Sequence, residues 1–340
     1  MLKSAATISL FAALGVTASA IAGAQNSPQS EPRTLDTVVV TGTLPGPGLW
    51  KVTDGDRALW LLGTVSPLPK DMIWDTAEVA EIISQADEII APAGAEADIG
   101  AADVFKMALL ARSAIAATKI ANGGELKDVL PEPVYARWAA MKTKYMDDNH
   151  KAERSRPMFA SQDLYFSAIS AAGMTQESIV WNRVVEIAEA NDISITQTRI
   201  QYPLDIDRKA YRAGIAALTE SRINDQECFT RTVDTLEADL DVMKRGANAW
   251  ATGDLGMLRQ LKYNEIQPAC RRTYDAVMGF QKKPGLAEQA SLVWLVAVER
   301  ALQRNAVTFA VLPISEMVGA DGLLGRLKAL GYVVVEPDEA

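Results

Sequence analysis

Histidine is almost missing from this chain: its 340 residues contain one, His150. A site built from converging imidazoles is thereby excluded, and a Ser-His pair needs His150 itself to reach a serine. Cysteine is scarce too. Cys228 and Cys270 form no Cys-x-x-Cys pair and have no histidine nearby, which argues against a thiolate metal cage or a dithiol redox centre. Positive charge is in deficit, with 34 Lys and Arg against 43 Asp and Glu and a net charge of −9. No Lys/Arg cluster interleaved with aromatics offsets this, so nucleic acid and anionic membrane surfaces are poor partners. Beyond the first 25 residues no apolar run is long enough to span a bilayer. There is no G-x-S-x-G elbow and no short-period repeat.

What is present starts with an address. MLKSAATISLFAALGVTASAIAGAQ places Lys3 before an apolar run through Leu10–Ile21 and small residues before Gln25. This reads as a secretory signal peptide over residues 1–24, cleaved after Ala24, with an uncleaved anchor as the alternative. The expected product is exported, periplasmic or secreted. Residues 25–48 read as a polar linker containing Leu35–Gly42, LDTVVVTG. That segment resembles a Ton box, an extended β-branched peptide able to pair with a TonB-like or outer-membrane partner; a plain linker is the alternative. The exported address makes Cys228 and Cys270 candidates for a disulfide across a helical hairpin, against two free buried thiols.

The chain from residue 49 to 337 is organised around Leu49–Lys70. Apolar runs Leu49–Val52 and Ala58–Leu62 flank the turn Asp54–Asp56, which predicts a β-hairpin delivering Gly63-Thr64-Val65-Ser66 to a strand's C-terminal end. The pattern then predicts a helix over Trp74–Ala86 capped by Asp75, a strand over Glu88–Ala91 ending at Pro92, and helices over Ala101–Ile120 and Pro131–Tyr145. Residues Tyr145–Arg156 read as a charged surface connection. Helices follow over Pro157–Ala172 and Gln176–Ala190, then a strand over Ile193–Ile200, then a helix from Pro203 and Asp205 through Ser221. An acidic helical region of Gln226–Thr252 and Leu255–Tyr263 to Met278, bearing the cysteines, and a helix over Leu286–Arg304 precede a βαβ-like close of Val307–Leu312, Gly322–Leu330 and Tyr332–Glu336. The fold class is α/β: a mixed central sheet covered by helices, with a mostly helical middle insertion. Trp50, Trp60 and Trp74 are expected to pack the hairpin, and Trp181, Trp250 and Trp294 to lie in the core.

LWKVTDGDRALWLLGTVSPLPKDMIW, ANAWATGDL at Ala247–Leu255 and FAVLPISEMVGADGLLGRLKALGYVVV near the end resemble the TraB/GumN family, which includes the PrgY and Tiki proteins. The resemblance implies a fold shared with erythromycin-esterase-like and ChaN-like proteins. From its Tiki branch it implies a metalloprotease using manganese, cobalt or zinc, with two motif histidines and a glutamate. The family's strand–G-x-x-H motif falls on Gly63–Ser66, so Ser66 stands at the first histidine position. The second falls on Pro313, Ile314, Ser315 and Glu316, with Glu316 at the histidine position. Two further acidic positions fall, on a looser alignment, on Pro92 and Gln197. A hydroxyl, a ring, an amide and one carboxylate make a poor metal site, so no cofactor is expected.

The resulting expectation is a binding or regulatory module whose vestigial site, Gly63, Ser66, Pro92, Gln197, Pro313, Ser315 and Glu316, holds a peptide, protein or small ligand. The alternative is a peptidase or esterase working through a carboxylate-based site on Glu316 and Ser66. A Ser66–Lys70 dyad across two prolines is not supported, and Asp147, Asp148 and His150 read as solvated charge.

Overall fold

The computed structural model describes residues 44–146, 150–203, 208–219, 224–260, 270, 285–318 and 322–337. The leader and Leu35–Gly42 lie outside the described residues. From Leu44 onward the expected linker is packed down: Leu44 bridges to Trp74, and the Gly46 amide donates to the Ala251 carbonyl at 3.1 Å. No helix among the described residues is long and apolar enough to cross a membrane.

Ten strands are described: β1 (Leu49–Asp54), β2 (Arg57–Thr64), β3 (Leu68–Pro69), β4 (Glu88–Ile90), β5 (Gly94–Asp98), β6 (Met174–Thr175), β7 (Ile195–Thr196), β8 (Arg199–Pro203), β9 (Val307–Pro313) and β10 (Val333–Val335). Six form the central sheet in the order β10-β1-β2-β9-β4-β7. The predicted hairpin pairs β1 with β2 antiparallel from Leu49–Leu62 to Asp54–Arg57, and Gly55 supplies the positive φ of its turn. β2, β9, β4 and β7 run parallel. Their side chains, such as Leu59, Leu61, Ile89, Ile90, Phe309 and Leu312, are buried, as a sheet covered on both faces requires. β10 pairs antiparallel with β1. The closing βαβ unit therefore crosses over the whole hairpin and lands on its far side, rather than beside β9.

Two large apolar cores result, with a small third cluster of Ala117, Met158 and Leu218. One surrounds the sheet and includes Trp50, Trp74, Trp250, Trp294 and the helices Ala77–Ser84, Ile179–Ala190 and Leu286–Arg304. The other lies wholly within the helical middle, where Trp138, Leu164, Phe229 and Leu236 pack the helices Glu132–Tyr145, Pro157–Ala171 and Gln226–Thr252 together. Gln226–Thr252 belongs to both, carrying Phe229 and Leu236 into one and Trp250 into the other. Cys228 and Cys270 are joined as a disulfide.

Several elements differ from the reading of the sequence. Asp75 does not sit at the cap position; Thr76 does, and Asp75 accepts the Ala77 amide at 2.9 Å. The charged connection before Pro157 is not a solvated strap. It contains the helix His150–Glu153, and Glu153, Ser155 and Arg156 are buried because each finds a polar partner. Asp147 and Asp148 lie outside the described residues. Pro203 ends strand β8 instead of opening a helix, and the next helix is Arg208–Thr219. Trp181 is only half-buried.

Candidate functional site at the strand tips

Four parallel strands end at one sheet edge, and the segments that leave them carry the predicted site residues. Gly63 and Thr64 pair with Leu312 and Pro313 at the tips of β2 and β9, so Ser66 and Glu316 lie two and three residues beyond the ends of neighbouring strands. Gly63 is required by its surroundings: a Cβ there would stand 2.6 Å from Ile314 Cγ1 and 2.9 Å from Trp50. The Gly63 carbonyl accepts the Trp250 indole N–H at 2.7 Å in a buried setting, and Trp250 meets Trp74 edge-on at 5.4 Å. The ANAWATGDL stretch thus fixes the end of β2 from the helical side, and Gly253 closes that helix in the left-handed conformation.

Beyond β2, Ser66 is exposed, while Pro67 and Leu68 are buried. The chain then pairs as β3 with β6 of the helical region. Lys70 Nζ donates to Ser170 Oγ at 2.8 Å, so its ammonium is engaged away from Ser66. Beyond β9, Pro313 starts the one-turn helix Ile314–Met317, whose Ile314 and Met317 are buried and whose Ser315 and Glu316 are exposed. Neighbouring protein nevertheless strips enough water from the Glu316 carboxyl to push it above the usual carboxylate range, and desolvation is the sole cause.

β4 and β7 end differently. Each resumes after a short break, β4 as β5 and β7 as β8, and the pair β5–β8 continues as a two-stranded parallel ribbon. Ile90 lies opposite Thr196, and Gly94 opposite Arg199, so the β4 side carries one extra residue in a bulge at Ala91–Ala93. Thr198, buried, turns its hydroxyl to the Ala91 and Pro92 carbonyls at 3.0 and 3.1 Å. Pro92 is half-buried in this bulge and Gln197 is exposed beside it. The sequence reading missed both Thr198 and the bulge, since a lone threonine in an apolar strand gives no signal.

The expected cleft is divided accordingly. Gly63, Ser66, Pro313, Ser315 and Glu316 cluster by sequence and register at the tips of β2 and β9, and Pro92 and Gln197 at the β4–β7 break. A cavity of about 430 Å³ takes in Gln197 with Thr196, Thr198, Leu292, Val293, Val296, Ala297 and Arg300, but none of Ser66, Pro92, Ser315 or Glu316. Among the described residues no three His, Cys, Asp or Glu side chains gather as a metal-binding group. The donors at the four tips do not fit the divalent metal that the resemblance implies, because one carboxylate, a hydroxyl and an amide supply too little charge.

No curated protein and no solved structure matches the chain. The family model described as the TraB/PrgY/gumN family matches residues 48–336, a span that contains every strand and every tip described above. The chain belongs to the TraB/PrgY/gumN family.

Proposed function

We propose that this chain is an exported TraB/GumN-type binding or regulatory module, whose strand-tip edge holds a peptide, protein or small ligand without cleaving it. The observation that supports this most directly is the composition of the tips: Ser66, Pro92, Gln197 and Glu316 offer a single carboxylate. A hydrolytic metal needs three or so anionic or imidazole ligands to stay bound and activate water. Titration of the purified protein with manganese, cobalt and zinc, read by calorimetry, should give no stoichiometric binding tighter than about millimolar. A tight one-to-one metal that switches on chelator-sensitive cleavage of a peptide would reject the proposal. Export belongs to the same reading, and rests on the leader-like first 24 residues. Mass spectrometry of the protein recovered from an exporting host should find Gln25 at its N-terminus. The Leu35–Gly42 segment is proposed to pair with a TonB-like or outer-membrane partner. An unchanged set of co-purifying proteins after its deletion would remove that part.

A second reading, a hydrolase acting on peptides or esters through an altered, carboxylate-based site, is favoured by the desolvated Glu316 carboxyl. A carboxyl held protonated to higher pH is suited to give a proton to a leaving group, and the exposed Ser66 and Ser315 hydroxyls follow the same two strand tips. Glu316→Gln separates the readings. It should abolish turnover of any ester or peptide that the wild type cleaves, and leave ligand binding unchanged to within a few fold.

A further inference from the structure

The helix Ala101–Ala117 is apolar on two sides. Its inner side buries Leu110 and Ala117, the latter against Met158 and Leu218. Its outer side leaves Val104, Phe105, Leu109 and Ile115 at 53, 65, 56 and 64% exposure, with Ile99 just before it at 46%. The exposed stripe Ala101, Phe105, Ala108, Arg112, Ile115 recurs at alternating spacings of four and three residues, the spacing of a seam between two helices. Arg112 is its one charge. Asp103 and Lys106, off the stripe, pair with each other at 2.9 Å. A contiguous apolar face of this extent is of the size of a typical monomer's largest apolar patch, which is often functional.

We infer that this face receives a second copy of the chain, the two Ala101–Ala117 helices packing antiparallel about a two-fold axis. Large and small side chains alternate along the stripe. With the axis between Lys106 and Met107, Phe105 of each copy lies over Ala108 of the other, the two Val104 side chains flank one side of the seam and the two Leu109 side chains the other, and Ile115 reaches the neighbourhood of Ile99. Each Arg112 passes the small Ala101 of the other copy, so the two cations stay apart. The five large side chains expose on the order of 500 Å² per copy, so that two faces bury about 1,000 Å², the lower bound for a specific pair. An anionic membrane is a poorer occupant, because the stripe has one cation and the chain a net charge of −9.

Sedimentation of the purified full chain across micromolar concentrations should show a monomer–dimer equilibrium. Leu109→Asp and Phe105→Glu, both at exposed positions, should each weaken it by at least about tenfold with an unchanged far-ultraviolet spectrum. Because Cys228 and Cys270 are joined, Ala108→Cys adds the one reactive thiol. A short bis-maleimide should then trap dimers in a chain whose large apolar side chains are intact, and a cysteine at Ser84, on another helix, should trap none. A chain that stays monomeric throughout, a dimer that survives both substitutions, or a monomer that instead binds phosphatidylglycerol vesicles through this face would each overturn the inference.

Discussion

The sheet core and the helical core treat buried polar groups differently. In the sheet core the buried polar atoms are few: some join elements at their ends, while the indole N–H groups of Trp50 and Trp294 are buried with no partner among the described residues. Trp250 holds the Gly63 carbonyl, and buried Glu88 at the start of β4 accepts from Thr196, Arg304 and Asn305 at 2.6, 2.9 and 2.7 Å. In the helical core, charges themselves are buried. Arg156 faces Asp225 at 3.2 Å, with 8 and 6% of their side chains exposed, and also donates to the Leu218 carbonyl. Lys142 faces Glu153 at 2.6 Å, and Trp138 Nε1 donates to the same carboxylate at 3.2 Å. The disulfide adds a covalent tie to this region. A helical core that depends on matched ions and a cross-link should be breakable at single positions. The sheet core, where Glu88 is the buried carboxylate among interlocking apolar side chains, should yield mainly to changes of shape.

The largest expected effect tests the ion pair. Asp225→Ala removes the carboxylate facing the buried Arg156 guanidinium and should cost up to about 3–5 kcal/mol, read by urea denaturation. Losing the Cys228–Cys270 cross-link should come next. Closing the 42-residue separation stabilises by about 4 kcal/mol through the unfolded chain in the chain-entropy account, within the roughly 2–5 kcal/mol that losing a native disulfide costs. If the two cores are as distinct as their chemistry, either change melts the region around Trp138 before the sheet. A single transition in which Trp138 and Trp250 report together would show that the shared helix Gln226–Thr252 welds them into one cooperative unit.

A change of shape in the sheet core comes third. Gly63→Ala puts a methyl within 2.6 Å of Ile314 and 2.9 Å of Trp50, which should cost about 1–3 kcal/mol. Ile314 leads directly into Ser315 and Glu316, so the same variant should shift the nuclear resonances of Glu316. If those resonances stayed in place while stability fell, the tip of β9 would be independent of β2, and the pairing of their two segments into one site would lose its support.

The sheet core was far more legible in the sequence than the site at its edge. Long periodic or uninterrupted apolar runs declare themselves, so Gln226–Thr252 and Leu286–Arg304 have the boundaries their patterns predict, and the hairpin turns where Asp54-Gly55-Asp56 says it should. Short pieces do not. β3, β5 and β6 rest on pairing with distant segments, and β5, Gly94-Ala-Glu-Ala-Asp98, has no strand-like composition at all. The break at Gln197–Thr198 was invisible because Ile193–Ile200 reads as one strand; what splits it is the extra residue at Ala91–Ala93 on the neighbouring strand. Residues 145–156 misled for the opposite reason. Their charge predicts solvent, yet Glu153 and Arg156 are buried against partners 11 and 69 positions away, beyond the reach of local pattern. The strand tips were legible in position, through Gly63 and Pro313, but the chemistry of a site whose expected ligands are replaced cannot be read from position alone.

The smallest effect is also the one that speaks to that chemistry. Desolvation raises the Glu316 carboxyl in the folded chain, whereas in the unfolded chain it titrates near about 4.3. Between those two values the folded state holds more protons than the unfolded one, so stability falls as pH rises through that window, and the penalty is complete above the folded value. Glu316→Gln removes the penalty. The variant should match the wild type below pH 4 and gain a small margin above the window, small because Glu316 is exposed enough for water to screen it. The difference in denaturation midpoint against pH, together with the carboxyl carbon resonance, reads both quantities. A Glu316 that titrates at or below its ordinary value would point to a cation beside it, because only a nearby positive charge or donors to the carboxylate reverse the effect of desolvation. A metal at the strand tips would then have to be reconsidered. A raised value that stays unmoved by added manganese, cobalt or zinc leaves a lone, partly dehydrated acid at the tip of β9.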